Sequence, residues 1–163
     1  MEIRPLPETL IHYAEAEIAR LQTPGAAIGV LHHGVAYAGG VGLTNVEHPL
    51  PVTAETLFQI GSTSKTFTAT ALMSLVEAGR VDLDAPVRTY LPWFALKDAA
   101  LSERLTVRDL VTHRSGLPRH DLLWYNQNEI SRRALVERIA HLDLTADLRE
   151  KFQYNNLMYA TAG

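Results

Sequence analysis

The alternation of hydrophobic and polar positions predicts one amphipathic helix followed by a β-hairpin in the first part of the chain. Apolar side chains recur at helical spacing over about residues 6–21, which is typical of a helix with one buried face. β-branched residues within 26–32 and 35–41 predict two strands. His33 and Gly34 between them suit a tight turn. The pattern therefore predicts an antiparallel hairpin packed near one helix.

Helices are predicted to dominate the remainder. A short apolar run at 56–60 predicts a third strand that ends at Gly61. A helix rich in apolar residues follows over about 62–78 and ends at Gly79, and its composition predicts that it is largely buried. Further helices are expected over about residues 107–113, 129–141 and 156–163. This order of elements predicts an α+β fold with an incomplete sheet, since a hairpin and one strand form a small sheet for 163 residues.

Composition and charge exclude several classes of function. The net charge of −3 gives no basic excess to neutralise phosphates, so no nucleic-acid partner is expected. The chain has no cysteine, which excludes disulfides, thiolate metal sites and a cysteine nucleophile. Its seven histidines match no metal-binding spacing, so neither a metal nor another cofactor is expected. No apolar stretch approaches the ~20 residues that a membrane span needs.

The N-terminal segment does not resemble a secretory signal. Residues 1–21 contain several glutamates and no continuous apolar stretch. As written, the chain is therefore expected to be cytoplasmic. A periplasmic or extracellular location is the alternative if a leader was removed upstream.

The segment 58–68, FQIGSTSKTFT, carries the strongest candidate chemistry. Ser62 opens the predicted helix, and Lys65 follows three residues later on the same face. Free backbone N–H groups and the helix dipole stabilise negative charge there, so Ser62 is suited to be a nucleophile and Lys65 its base. The alternatives are that Ser62 or Ser64 only caps the helix and that Lys65 extends into solvent. The strand–glycine–serine–helix context favours catalysis.

Four segments follow one another along the chain: FQIGSTSKTFT at 58–68, LDAPV with YLP at 83–92, TVRDLVTHRSGL at 106–117 and FQYNN at 152–156. In this order they resemble the serine β-lactamase and penicillin-binding protein superfamily. The resemblance is greatest to its branch of class C β-lactamases, D-Ala-D-Ala carboxypeptidases and esterases, and it extends from about residue 26 to 163. The resemblance implies a β-lactamase/transpeptidase-like fold, in which an antiparallel sheet is flanked by helices and joined to a helical subdomain.

Carried across by position, the resemblance implies a role for four residues. Ser62 would be the acylated nucleophile and Lys65 its activating partner. Tyr154 would relay a proton between nucleophile and leaving group, and Asn156 would bind the substrate amide and orient Lys65. A lysine cation favours a tyrosine phenolate, so Lys65 and Tyr154 are expected to titrate as a coupled pair. The ordinary alternatives are a buried aromatic for Tyr154 and a helix N-cap for Asn156.

Other polar residues allow different interpretations. Ser62, His120 and Asp121 supply the residue types of a serine–histidine–aspartate triad, but the chain lacks the Gly-x-Ser-x-Gly turn. His113 is expected to end a helix and to support the site from behind. The apolar residues 122–125 are candidates for a wall of the substrate site.

The resemblance also implies that the fold is incomplete. Residues 1–163 would form the N-terminal part of one β-lactamase-like domain, with the hairpin and nucleophile helix in 1–80 and a helical region in 81–163. The family's third motif, Lys-Thr-Gly or His-x-Gly, does not follow Asn156. The C-terminal sheet strands are therefore expected to be missing, and to come from a longer chain or from a partner.

The implied function is serine hydrolysis by acyl transfer. The substrate would be a small molecule or peptide with a peptide, ester or β-lactam carbonyl. The alternative is a catalytically incomplete fragment, or a non-catalytic binding or scaffold member of the same fold.

Overall fold

The computed structural model describes residues 2–126 and 129–163. It divides into two compact units, of which the first ends at Ile60 and the second spans Gly61–Gly163. The serine, lysine, tyrosine and asparagine of the candidate site therefore all lie in the second unit. Within the described ranges, no helix is long and apolar enough to cross a membrane.

The first unit contains a small mixed sheet and one helix. Its elements are β1 (Ile3–Pro5), α1 (Glu8–Arg20), β2 (Gly25–His32) and β3 (Val35–Gly42). The strand order is β1-β3-β2, with β2 antiparallel and β1 parallel to β3. The α+β class, the helix and the hairpin are confirmed. The sheet is mixed, not purely antiparallel, because β1 adds a strand that is too short to show an alternating pattern.

Glycine permits the chain to approach β3 closely. A Cβ added at Gly40 would lie 2.5 Å from the backbone carbonyl of Val52, and one at Gly39 would lie 2.8 Å from the Leu6 side chain. Leu6, Val41 and Val52 are buried there. The glycines that weaken the strand pattern are thus required by close packing.

The prediction of a third strand at 56–60 is wrong. These residues have no regular secondary structure, and the Leu57 side chain is 97% exposed. A strand needs a neighbouring strand for its backbone hydrogen bonds, and none of the described strands pairs with this segment. The apolar composition of this segment is compatible with a strand, but none of the described strands lies beside it to form the ladder.

The second unit is helical. Its helices are α2 (Ser64–Glu77), α3 (Val87–Tyr90), α4 (Ala99–Arg104), α5 (Val107–Leu110), α6 (Arg132–Glu137) and α7 (Asn156–Ala162). Single 3₁₀ turns lie at Gly61–Thr63, Asp121–Leu123 and Arg138–His141. The core is built from the fully buried side chains of Phe94, Leu105, Leu117, Ile139, Leu157 and Met158. The helix predicted over 129–141 begins later, because the Ser131 side chain caps α6 by accepting from the Ala134 N–H.

Helix α2 is much less buried than its composition predicts. Leu72 is its one buried residue, whereas Phe67 is 67% exposed and Met73 and Leu75 are also exposed. Among the described residues of the second unit, α2 packs against α7 through one face. Apolar density shows that a helix is suited to burial, but the elements around it decide how much of it is covered.

A buried carboxylate connects α5 to the segment that leads to Tyr154. Asp109 is 3% exposed and accepts hydrogen bonds from the Thr106 N–H at 3.0 Å and from Arg149 Nη2 at 2.7 Å. Burial opposes ionisation, but the bonds from Arg149 and Thr106 outweigh it and hold the pKa of Asp109 below its usual value. The ion pair therefore holds Arg149 against the start of α5.

Replacing this carboxylate is expected to destabilise the second unit. Asp109→Ala leaves the Thr106 N–H without its acceptor and Arg149 without its partner, so the free energy of unfolding should fall by ~2–4 kcal/mol. Urea denaturation measures this loss. The matched control is Asp84→Ala, which breaks the exposed pair with Arg108 and should cost clearly less because water screens it. Equal losses of unfolding free energy in the two variants would show that burial of Asp109 does not strengthen its contribution to stability.

His113 is a buried histidine in its neutral form. Its Nδ1 accepts a hydrogen bond from the Asn155 N–H at 3.1 Å, which a protonated ring cannot do. Burial, and then the nearby Lys65 cation, lower the pKa of His113 below its ordinary value of 6.5. Protonation of this ring is therefore resisted by the folded state.

The lowered pKa predicts acid sensitivity. The unfolded chain binds a proton at this site more readily, so the contribution of His113 to stability is fully present above pH 6.5 and is lost as the pH falls through the folded-state pKa. His113→Gln cannot titrate and should show a shallower loss of unfolding free energy between neutral and acidic pH. His48→Gln, in an exposed loop, is the control and should retain the wild-type slope. A wild-type slope in His113→Gln would refute the assignment.

Candidate active site

Ser62 lies two residues before α2 begins at Ser64, close to the helix start that was predicted for it. It belongs to the 3₁₀ turn Gly61–Thr63, where Gly61 has a φ of +52° that favours glycine. Lys65 lies in the first turn of α2, and its Nζ donates a hydrogen bond to Ser62 Oγ at 3.1 Å. The three-residue spacing thus places the two side chains in contact.

Tyr154 and Asn156 reach the same point from the other end of the unit. The Tyr154 hydroxyl shares a hydrogen bond with Ser62 Oγ. Asn156 is the first residue of α7, and its Oδ1 accepts from Lys65 Nζ at 2.6 Å. The structure therefore brings together all four residues that the sequence singled out, although more than 90 positions separate Ser62 from Tyr154.

Asn155, and not Asn156, is the N-cap of α7. Its Oδ1 accepts from the Met158 N–H at 3.0 Å, and its Nδ2 donates to the Pro118 carbonyl at 2.6 Å. The Asn156 side chain is thus free of the capping role that was its ordinary alternative. Of these two adjacent asparagines, Asn155 caps the helix and Asn156 contacts Lys65.

The surroundings of Tyr154 favour its phenolate. Lys65 Nζ lies 4.7 Å from the centroid of the ring, and the Arg119 guanidinium carbon lies 5.0 Å from it. Interaction with Lys65 and the hydrogen bond with Ser62 lower the pKa of Tyr154 below its ordinary value of 10.0, against the opposing effect of burial. Tyr154 is therefore easier to ionise than a free tyrosine.

His113 packs behind this tyrosine. The two ring centroids are 4.5 Å apart with the planes tilted by 30°, and the Tyr159 ring lies 5.1 Å from His113. Tyr159 donates its hydroxyl to the Val111 carbonyl, and burial raises its pKa. This position agrees with the expectation that His113 supports the site from behind.

The serine–histidine–aspartate alternative is not assembled. His120 Nε2 donates to the Asp143 carbonyl at 3.1 Å and makes no hydrogen bond to Ser62. Asp121 contacts Asn156 instead, because its Oδ1 accepts from Asn156 Nδ2 at 3.1 Å. No motif spacing connects residues 121 and 156, so this contact could not be predicted from the sequence.

A cavity of about 470 Å³ opens beside Ser62 and Lys65. Apolar side chains form much of its lining, namely Trp124, Leu135, Leu157 and Ala160. Trp124 comes from the segment predicted as a site wall, whereas Leu122 of the same segment is 89% exposed. Within residues 2–126 and 129–163, no group of histidine and carboxylate side chains is arranged to hold a metal ion.

Comparison with known proteins agrees with this architecture. A beta-lactamase family model matches residues 10–163. The unguisins hydrolase ungD′ of Aspergillus campestris is 30% identical over 97% of the chain. D-amino acid amidase from Ochrobactrum anthropi has a TM-score of 0.78 and 26% identity over 94% of the chain. The octameric penicillin-binding protein homologue from Pyrococcus abyssi has a TM-score of 0.73 and 32% identity over 95%.

These relatives are much longer than this chain. It covers 31% of the Aspergillus hydrolase, 44% of the amidase chain and 37% of the Pyrococcus chain. The expected β-lactamase/transpeptidase-like fold is confirmed for the part that is covered. By family model, relatives and fold, the chain belongs to the beta-lactamase family, within the serine β-lactamase and penicillin-binding protein superfamily.

Proposed function

We propose that this chain carries the nucleophile of a serine hydrolase that works by acyl transfer through an ester on Ser62. The observation that supports this most directly is that Lys65 Nζ and the Tyr154 hydroxyl both hydrogen-bond Ser62 Oγ. A serine at the start of a helix, next to a cation and a readily ionised tyrosine, is arranged for nucleophilic attack. A capping serine has no need of either partner.

The proposed reaction uses Tyr154 as the proton carrier. Ser62 Oγ attacks the carbonyl carbon while its proton passes to the Tyr154 phenolate, and the bond to the leaving group then breaks as Tyr154 returns the proton to it. Water attacks the resulting ester and gives up a proton to Tyr154. Tyr154 passes this proton to Ser62 Oγ as the ester bond breaks, so the acid is released and both Ser62 and the phenolate are regenerated. Lys65 stabilises the phenolate between these steps.

The positive end of α2 assists the charge that develops in this reaction. The Ser62 N–H lies at the start of the helix, where it can bind the oxyanion of the tetrahedral intermediate. The same helix end places Lys65 within 3.1 Å of the attacking oxygen. The start of α2 therefore supports both the attack by Ser62 Oγ and the stabilisation of the oxyanion.

We propose a small molecule or peptide with an amide, ester or β-lactam carbonyl as the substrate. The relatives with a hydrolase or amidase name support this class. The apolar cavity beside Ser62 suits an uncharged side chain on the substrate, with Trp124 and Leu135 as walls. Because the chain covers less than half of each relative, the activity of the whole protein is part of this proposal.

The nucleophile can be tested by covalent labelling. A fluorophosphonate or a labelled penicillin is expected to add one mass adduct, and peptide mapping should place it on Ser62. The experiment uses the 163-residue chain and, alongside it, the longest natural polypeptide that contains this sequence. Ser62→Ala should abolish the adduct.

Ser64→Ala is the matched control, because it removes a second hydroxyl from the same helix start. This variant should still be labelled on Ser62. Labelling that survives Ser62→Ala would refute the nucleophile. A folded wild-type protein that no acylating reagent labels in either polypeptide would favour the non-catalytic alternative.

The lowered pKa of Tyr154 predicts the pH dependence of acylation. If the phenolate is the base, the rate should rise with pH and level off below pH 10.0, since the pKa of Tyr154 lies below that value. Tyr154→Phe should slow acylation by about 10²–10⁴-fold and remove this limb of the profile. The rate of labelling as a function of pH measures both effects.

Tyr90→Phe is the control for loss of a phenol. The Tyr90 hydroxyl accepts from the Asp82 N–H and takes no part in the site, so its removal should leave the profile unchanged. A Tyr154→Phe profile that parallels the wild type would exclude Tyr154 as the base.

A further inference from the structure

We infer that Asp121 is a positioning residue that holds the Asn156 amide with its oxygen toward Lys65. This inference rests on the proposed function, because it concerns how Lys65 is kept beside Ser62. It adds a residue outside the motifs that led to the site. Asp121 acts through Asn156 and does not itself contact Ser62.

The argument begins with the two ends of the Asn156 amide. Its Oδ1 lies 2.6 Å from Lys65 Nζ, and its Nδ2 lies 3.1 Å from Asp121 Oδ1. A carboxylate can only accept and an ammonium can only donate. Turning the amide over would place two donors together at one end and two acceptors at the other. Lys65 and Asp121 together therefore permit one orientation.

Asp121 is itself fixed in place. Its Oδ2 accepts from Arg119 Nε at 2.7 Å, and its Oδ1 accepts from Trp124 Nε1 at 3.3 Å. Partial burial opposes ionisation, but the hydrogen bonds from Arg119 and Asn156 outweigh it and lower the pKa of Asp121. Asp121 is therefore a carboxylate at neutral pH and acts only as an acceptor.

A chain of contacts thus runs from Arg119 to the nucleophile. Arg119 holds Asp121, Asp121 holds Asn156, Asn156 holds Lys65, and Lys65 donates to Ser62. Both polar ends of the Asn156 side chain are occupied in this arrangement. The amide therefore links Asp121 to the ammonium of Lys65.

Without Asp121, the Asn156 amide loses one of the two partners that hold it. The Lys65 ammonium still favours the amide oxygen, but the side chain is then anchored at one end only. Lys65 would then be bound by a less rigid acceptor and be less well fixed beside Ser62. Charge-assisted hydrogen bonds of this kind contribute enough that acylation of Ser62 should slow roughly tenfold to hundredfold.

A double-mutant cycle tests whether Asp121 acts through Asn156. The second-order rate of Ser62 labelling by a fluorophosphonate is measured for wild type, Asp121→Ala, Asn156→Ala and the double variant. Residues that act through one contact are not additive, so Asp121→Ala should cause little further loss once Asn156 is alanine. An undiminished loss in the Asn156→Ala background would overturn the inference.

Asp121→Asn removes the negative charge but keeps the size of the side chain. It also serves as a control for a folding defect in Asp121→Ala. Its side chain retains an oxygen that can accept from Asn156, so part of the rate lost in Asp121→Ala should return. A rate equal to that of Asp121→Ala, in a variant whose thermal unfolding matches wild type, would also overturn the inference.

Hydrogen exchange of side-chain amides tests the contact without any catalysis. By NMR, the Asn156 Nδ2 protons should exchange roughly tenfold more slowly in wild type than in Asp121→Ala, because a made hydrogen bond protects them. The exposed Asn45 amide is the internal control and should not change. Equal exchange at Asn156 would refute this inference, whereas failure of Ser62 to be labelled would refute only the proposed function.

Discussion

The contact between Lys65 and Asn156 is the interaction on which the candidate site depends. It joins the start of α2 to the start of α7 through a 2.6 Å hydrogen bond. The neighbouring residues Leu157 and Met158 are fully buried, so the first turn of α7 is held in the core while Asn156 faces the other way. The core therefore sets the position of the polar group that binds Lys65, and hence of the lysine that contacts Ser62.

Tyr154 is positioned by groups that take no part in the proposed chemistry. Asp109 binds Arg149 at one end of the preceding segment, and the Gln153 N–H donates to the His113 carbonyl near the other. The Asn155 N–H then donates to the ring of His113. These contacts hold an irregular segment in one conformation, which a polar loop without buried partners would not adopt. Rigid support of this kind is what a proton carrier requires.

The sequence predicted different parts of the site by different means. Helical spacing alone placed Ser62 and Lys65 on one face, because that relation depends only on local geometry. Tyr154 and Asn156 were predicted only through the family resemblance, since their contact with Ser62 depends on the packing of the whole unit. Asp121 had no such signal. Its side chain could equally have served a triad, and only the fold shows that it binds an amide.

The same limit explains the errors in the fold. The hairpin was predicted well, because its strands are adjacent in sequence and a two-residue turn sets their register. The segment 56–60 was expected to form a strand and the helix α2 to be largely buried, but both outcomes depend on which distant elements pair with them or cover them. Local patterns determine what a segment can form, whereas its exposure is decided by contacts that are remote in sequence.

Two cations and a carboxylate lie near Tyr154, and the neighbouring His113 is neutral. The Lys65 and Arg119 cations lie within about 5 Å of the Tyr154 ring, and Asp121 neutralises Arg119. His113 stacks on the same ring but is neutral, because the Asn155 N–H donates to its Nδ1. Protonation of His113 would break that backbone bond beside Tyr154, at the residue that caps α7. His113 supports the Tyr154 ring, so the position of Tyr154 depends on His113 remaining neutral.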